Sequence, residues 1–152
     1  MNVIIRKMLL EDVERVIAID RVSFSLPWPE RSFRFELTDN PASRCWVAEV
    51  DGQLVGMIVV WLIVDEIHVA TIATHPDFRR QGIAKKLLSH ALRHLSTEGA
   101  QSSFLEVRAS NLAAQEMYRK FGYEESGVRR RYYKDNGEDA LLMTLSGIQE
   151  NK

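Results

Sequence analysis

The stretch DFRRQGIAKKLLSHALRHL, residues 77–95, sets Arg79, Arg80, Gly82 and Ala84 at the mouth of an apolar-periodic segment that reads as a helix from about Gly82 to Glu98. A helix starts with unpartnered amide donors and the positive end of its dipole, so it attracts an anion that can reach the backbone. Gly82 and Ala84 keep side chains out of the way, and Arg79, Arg80 and Lys85 add charge-assisted contacts. The ligand this predicts is a phosphate or pyrophosphate. Neither GxxxxGK[ST] nor GxGxxG is present, which counts against the common mononucleotide and dinucleotide loops. Spacing alone does not separate this reading from a glycine that merely opens a helix beside solvated arginines.

The periodicities around this helix alternate between strand and helix. Asn2–Lys7 reads as a first strand and Leu10–Phe24 as an amphipathic helix with Val13, Val16, Ile17 and Ala18 on one stripe; Glu11, Glu14, Asp20 and Arg21 lie elsewhere. SLPWPE interrupts, and a second short helix is expected from Pro29, in the first helical position, to about Asp39. Arg44–Val50 and Gln53–Val64 flank the hairpin turn Asp51-Gly52, and Glu66–Thr74 follows as a strand ended by His75-Pro76. SSFLEVRA then reads as a strand and NLAAQEMYRKFGY as a helix stopped at Gly122; Tyr123–Tyr133 and Asp139–Leu145 are expected to pair around Asn136-Gly137. No repeat or linker divides the chain, so residues 1–152 are read as one α/β domain.

Composition narrows the partners. With 20 lysines and arginines against 21 acidic residues, the net charge of −1 supplies no global field for nucleic acid or anionic lipid. Arg129, Arg130 and Arg131 beside Tyr132 and Tyr133 make only a local patch, which strand alternation would split between two faces. The longest apolar run, Leu54–Val64, falls well short of the roughly 20 residues that cross a bilayer. The one cysteine, Cys45, lies in the apolar strand RCWVAEV and reads as core filler in a reducing compartment, so a cytoplasmic location is expected. His90 and His94 are four apart on one helix but have no carboxylate or cysteine at metal-ligand spacing, so no metal is expected.

RRQGIA at 79–84 resembles the R/Q-x-x-G-x-G/A signature of the GNAT acyl-CoA N-acyltransferases. LPW at 26–28, LEVRASNLAAQEMYRKFGY at 105–123 and RRRYYKDNGEDALLM at 129–143 narrow the resemblance, over nearly the whole chain, to the RimI-type ribosomal-protein-alanine N-acetyltransferases. Ala84 stands where glycine is commoner and Thr74 where an aliphatic residue is frequent. The resemblance implies the GNAT fold, a mixed and mostly antiparallel sheet of about seven strands flanked by about four helices. It further implies acetyl-CoA as cosubstrate. Its pyrophosphate would lie on the loop and helix start formed by Arg79, Arg80, Gln81, Gly82, Ile83, Ala84 and Lys85, and its pantetheine arm on the backbone of Ile72, Ala73 and Thr74. Asn111, which by position caps the following helix, is implied to touch that arm as well.

Acetyl transfer to an amine needs a neutral nucleophile and a proton for the departing thiolate. In FLEVR, Leu105, Val107 and Ala109 share one face, and Phe104, Glu106 and Arg108 the other. Glu106 could take the amine proton directly or through water, or could be a surface carboxylate paired with Arg108 or another cation; the resemblance implies the base. Glu66, at the start of the strand leading to the loop, is the reserve candidate. Tyr118 by spacing is a core aromatic with Ala114 and Phe121, and the resemblance implies the general acid. An α-amine with a pKa of about 7.7–8.0 is roughly a tenth neutral at pH 7, far more than lysine. The resemblance points to a protein N-terminus as acceptor, first the alanine terminus of a small-subunit ribosomal protein. Leu26, Trp28, Tyr132 and Tyr133 would then bind the acceptor, the segment Arg129–Tyr133 lying beside it and the loop Lys134–Asp139 and the segment Leu26–Trp28 framing the entrance, in a monomer or weak dimer. Another acceptor amine (lysine, polyamine or amino acid) or a non-catalytic acyl-CoA-binding module is the competing expectation.

Overall fold

The computed structural model describes residues 1–151. Strands β1 (Val3–Lys7), β2 (Ser43–Val50), β3 (Gln53–Ile63), β4 (Glu66–Thr74), β5 (Ser102–Arg108), β6 (Glu124–Arg129) and β7 (Ala140–Leu145) are joined with helices α1 (Val13–Ser23), α2 (Glu30–Thr38), α3 (Ile83–Ser96) and α4 (Leu112–Phe121). They form one seven-stranded sheet in the order β1-β2-β3-β4-β5-β7-β6. Every neighbouring pair is antiparallel except β4 and β5, which α3 connects in parallel. The mixed sheet and four helices are those expected of the GNAT fold.

The central strands are apolar on both sides because both faces are covered. Val55, Ile58 and Val60 of β3 meet Ile83, Leu87, Leu88 and Leu95 of α3. Leu54, Met57 and Val59 point the other way, against Val13, Val16 and Ile17 of α1 and Phe33 of α2. Gly56 marks the tightest approach of helix to sheet: a Cβ there would lie 2.9 Å from Ile83 Cγ2 and 3.3 Å from the Ala73 carbonyl. Cys45 is buried, and burial pushes its thiol up to about 11.

Several boundaries differ from the expected ones. A single 3-10 turn, Leu10–Asp12, precedes α1, so the first helix proper starts at Val13. On α1, Ala18 is exposed and Asp20 is buried, the reverse of the expected stripe. Pro29 has extended backbone and precedes α2 instead of opening it, and Gly82, at φ 80°, likewise stands just outside α3. The largest difference is in the last hairpin. β6 ends at Arg129, β7 begins at Ala140, and Arg131 takes a left-handed φ of 53°, so Tyr132 and Tyr133 belong to a loop and not to a strand. That loop is fixed by its own contacts: the Asp139 carboxylate accepts from Arg131 N at 2.9 Å, Tyr133 N donates to Glu138 O at 3.1 Å, and Gly137 N donates to Tyr133 O at 2.8 Å.

Candidate active site

The site begins where two strands part. β4 and β5 pair only from Glu66–Ser102 to His68–Phe104, and β4 then continues to Thr74 with no strand beside it on that edge. On its other edge it stays paired with β3, through a register shift that sets Val60 against Val69 and Val59 against Thr71 and leaves Ala70 as a bulge. A bulge bends and twists its strand. β5 keeps β7 along its length, from Ser103–Leu145 to Arg108–Ala140. The result is a cleft of about 1800 Å³ between the diverging strands, lined also by the start of α3, by α4 and by the loops before α2 and β7. Backbone donors and acceptors along Val69–Thr74 have no ladder partner on the cleft side, and an extended ligand carrying amides can complete them.

At one end of the cleft lies the opening of α3. Arg80, at φ 63°, and Gly82, at φ 80°, both have left-handed backbone, which turns successive amides toward a shared concavity. No side chain caps the helix start, and a Cβ built on Gly82 meets nothing within 4 Å. Ile72, Ala73, Thr74, Arg79, Arg80, Gly82, Ile83, Ala84, Lys85 and Asn111 all line the cleft. Gln81 does not: its amide turns back to the Asp77 carbonyl at 3.5 Å. The Ile83 side chain is buried in the core, so what Ile83 can offer is backbone. Arg79 also works structurally, donating from Nε to the Thr74 carbonyl at 3.2 Å and from Nη2 to Ser23 Oγ at 3.3 Å. Asn111 caps α4 as expected, its Oδ1 accepting from Ala114 N at 3.2 Å.

Where the strands part, β5 shows the expected alternation: Ser103, Leu105 and Val107 are buried, and Phe104, Glu106 and Arg108 face the cleft. Glu106 is paired with Arg129, Nε to Oε1 3.6 Å, and the nearby Glu106 carboxylate raises the Tyr132 phenol above its ordinary value. Arg108, the other partner considered for Glu106, turns away to Asp135 and Glu138. Tyr118 lines the cleft from α4, its ring packed edge-on against Tyr123 at 5.7 Å. Burial, reinforced by Tyr133, pushes the Tyr118 phenol up to about 12. The two tyrosines differ at their tips, for Tyr123 donates to the buried Ser103 Oγ at 2.8 Å. Glu66 lies where the strands are still paired, with its carboxylate 3.1 Å from His68 Nε2.

Leu26 and Trp28 line the cleft from the loop before α2, and Tyr132 and Tyr133 from the loop before β7. Trp28 is anchored twice, by its backbone N–H to Asp20 Oδ2 at 2.7 Å and by its ring against Phe33 at 5.1 Å. Burial raises the Asp20 carboxyl above its usual range, and the Trp28 N–H opposes it. Sequence reasoning placed Asp20 on the polar side of α1, gave Ser25 no role, and included Asp135 only as part of the entrance loop Lys134–Asp139; an acidic residue at stripe spacing on α1 was the one available signal. Among the described residues no three histidine, cysteine or acidic side chains gather as metal ligands, and no helix is long and apolar enough to cross a membrane.

A parallel pair splayed beside a bulged strand, with a backbone cradle at the following helix, makes a scaffold suited to an extended ligand with an anionic end. The chain belongs to the Acetyltransferase (GNAT) family, whose profile matches residues 13–123, and is an acetyltransferase of that family. It is 41% identical over 142 residues to a Bacillus subtilis (strain 168) protein provisionally named a ribosomal protein bS18-alanine N-acetyltransferase, covering 93% of this chain and 94% of that one. It is 32% identical over 145 residues to the Escherichia coli (strain K12) ribosomal protein bS18-alanine N-acetyltransferase, covering 88% and 90%. The crystal structure of the ribosomal-protein-S18-alanine N-acetyltransferase from Escherichia coli superposes with a TM-score of 0.88 at 30% identity, over 95% of this chain and 94% of that one.

Proposed function

We propose that this chain, acting as one domain in the cytoplasm, transfers an acetyl group from acetyl-CoA to the α-amine of a protein N-terminus, with the alanine terminus of ribosomal protein bS18 as its acceptor. The observation that carries the reading is the free β4 edge from Val69 to Thr74, which runs between the left-handed cradle at Gly82 and the cleft-facing pair Glu106 and Tyr118. The acceptor follows the two relatives that carry that acceptor in their names.

The residues present suit the cosubstrate. The amides opening α3, with Arg80 and Lys85 beside them, hold the pyrophosphate, Arg79 adds charge and fixes the loop to β4, and Ile72, Ala73 and Thr74 pair with the amides of the pantetheine arm, which Asn111 flanks. Gln81 and Ile83 contribute backbone. Acetyl-CoA supplies the acyl group as a thioester. Glu106 takes the proton of the incoming α-amine, directly or through water, while Arg129 holds its carboxylate in place. The burial that keeps the Tyr118 phenol protonated lets it give that proton to the departing thiolate, whose own conjugate acid ionises near 8.5. Leu26 and Trp28 face Tyr132 and Tyr133 across the path of the acceptor.

The test is mass spectrometry of a peptide panel identical but for its first residue and for blocking of its terminus, with acetyl-CoA binding followed separately by calorimetry. Acetyl gain at the free alanine terminus is expected, with none on the blocked peptide. Gain that survives blocking would assign the acceptor to a side-chain amine. Cosubstrate binding without turnover on any amine would leave a non-catalytic module.

A further inference from the structure

We infer that Arg108 is a positioning residue, the clasp that fixes the width of the acceptor groove by tying both of its walls to the strand that carries Glu106. This rests on the acceptor running between those walls, as proposed above. Arg108 lies two residues beyond Glu106 on the same face of β5. Its guanidinium reaches Asp135 with both terminal nitrogens, Nη1 to Oδ1 at 3.1 Å and Nη2 to Oδ2 at 2.9 Å, and Glu138 Oε2 with Nη1 at 3.3 Å. Its Cζ sits 3.9 Å from the centroid of the Tyr133 ring. Across the groove, Ser25 Oγ donates to the same Asp135 carboxylate and lies 3.5 Å from Arg108 Nη2. Among the described residues, no other hydrogen bond or ion pair joins the loop before α2 to the loop before β7.

An isolated ion pair at a surface contributes little, but this one differs in three respects. Arg108 is three-quarters buried and Glu138 more so. The fork is bidentate and planar, which fixes direction as well as distance. One cation also serves two carboxylates that would otherwise repel each other within a single short loop, so removing it opens the loop instead of merely losing one contact. Lysine keeps the charge and loses the fork. The two walls the clasp joins hold Leu26 and Trp28 on one side and Tyr132 and Tyr133 on the other, none of which sets the cradle at Gly82. Loosening it therefore weakens acceptor binding and leaves the cosubstrate end unchanged.

The variants are Arg108→Gln and Arg108→Lys, with Asp135→Asn and Ser25→Ala as changes that leave β5 intact if the first pair folds poorly. For Arg108→Gln the peptide KM is expected to rise about tenfold while kcat stays within about threefold, with Arg108→Lys and Asp135→Asn between that and the parent protein. Ser25→Ala is expected to raise KM about threefold by the same route. Calorimetry should give an unchanged Kd for acetyl-CoA, and amide hydrogen exchange should quicken in residues 24–28 and 130–139 together but not in α3. Unchanged KM in Asp135→Asn and Ser25→Ala, a fall in kcat alone, or loosening confined to one loop would overturn the clasp. If the parent protein acetylates no N-terminal peptide, the acceptor assignment fails instead, and the coupled exchange of the two loops still decides whether Arg108 joins them.

Discussion

Tyr118 and Tyr123 stand edge-on at 5.7 Å, both almost fully buried, yet only the Tyr123 hydroxyl bonds to a protein group, and removing each tests the proposed assignment of the acid. Tyr123→Phe strips the donor from Ser103, whose hydroxyl is wholly buried, and leaving such a group unpaired costs about 1–3 kcal/mol. The Tyr118 hydroxyl has no partner in the described protein and lies at the cleft, so Tyr118→Phe keeps the ring packing and should change stability by no more than about 0.5 kcal/mol. Catalysis reverses the order. A positioned proton donor contributes roughly 10²–10⁴ in rate, about 3–5 kcal/mol, so Tyr118→Phe should lower kcat by that factor with acetyl-CoA affinity intact, while Tyr123→Phe stays within a few-fold. Because burial raises the Tyr118 phenol to about 12, the parent protein's kcat should show no falling limb from this group up to about pH 11, where a phenol at its ordinary value near 10 would already be about nine-tenths ionised. Urea titration gives the stabilities and single-turnover acetylation gives the rates. A Tyr118→Phe protein with kcat within threefold of the parent, or one as destabilised as Tyr123→Phe, would refute the assignment.

Gly82→Ala should cost about 1–2 kcal/mol of backbone strain, with no clash inside the protein, and weaken acetyl-CoA binding about tenfold because the added methyl enters the cradle; calorimetry and urea titration separate the two. Gly56→Ala drives a methyl to 2.9 Å from Ile83 and 3.1 Å from Leu87, both fully buried, and should lower stability by about 1–3 kcal/mol, read as a lower urea midpoint. The Asp12 carboxylate, wholly buried, is held down to about 2, from 3.8, foremost by hydrogen bonds from Arg6 at 2.7 and 2.8 Å. A depressed carboxyl stabilises the fold above its unfolded value and loses that contribution as pH falls through the folded one. Stability worth roughly 2 kcal/mol should therefore disappear between about pH 4 and pH 2, and Asp12→Asn should flatten that part of the profile.

What could be read in advance was local and periodic. Alternation in β5 separated Glu106 and Arg108 from Leu105 and Val107, and the run RRQGIA marked the start of α3 to within a residue. Long-range constraints were not legible in that way. Val128 to Tyr133 is a chain of residues that suits a strand by propensity, but Asp139 holding the Arg131 amide and Arg108 drawing in Asp135 and Glu138 pull the segment out of the sheet after Arg129. Those partners lie 27 and 30 residues away along the chain. Asp20 at stripe spacing on α1 was the one local signal, and nothing in the sequence pointed to Trp28 N as the group that its carboxylate serves.

The cleft itself depends on a pairing that stops, and its ending has a physical reason that joins fold to chemistry. β4 and β5 could run on as parallel neighbours, which would seal the sheet and leave no edge for a ligand. Instead each keeps its antiparallel partner on the far side, β3 for β4 and β7 for β5, and gives up the other beyond His68–Phe104. The bulge at Ala70 falls just past that point and bends β4 while β5 continues regularly with β7. Neither strand is left without a ladder, so the opening leaves one row of backbone groups on each strand free, which a ligand or water can satisfy. The same divergence sets which side chains meet the ligand. The first cleft-facing residues of β5 past the last paired position are Glu106 and then Arg108, so the proposed base stands nearest the vertex and the groove clasp one step further out. Deleting Ala70 would restore a regular β3–β4 register and straighten β4 toward β5, so the urea midpoint should rise or hold while calorimetry shows acetyl-CoA binding lost; binding retained in that variant would refute the role of the bulge.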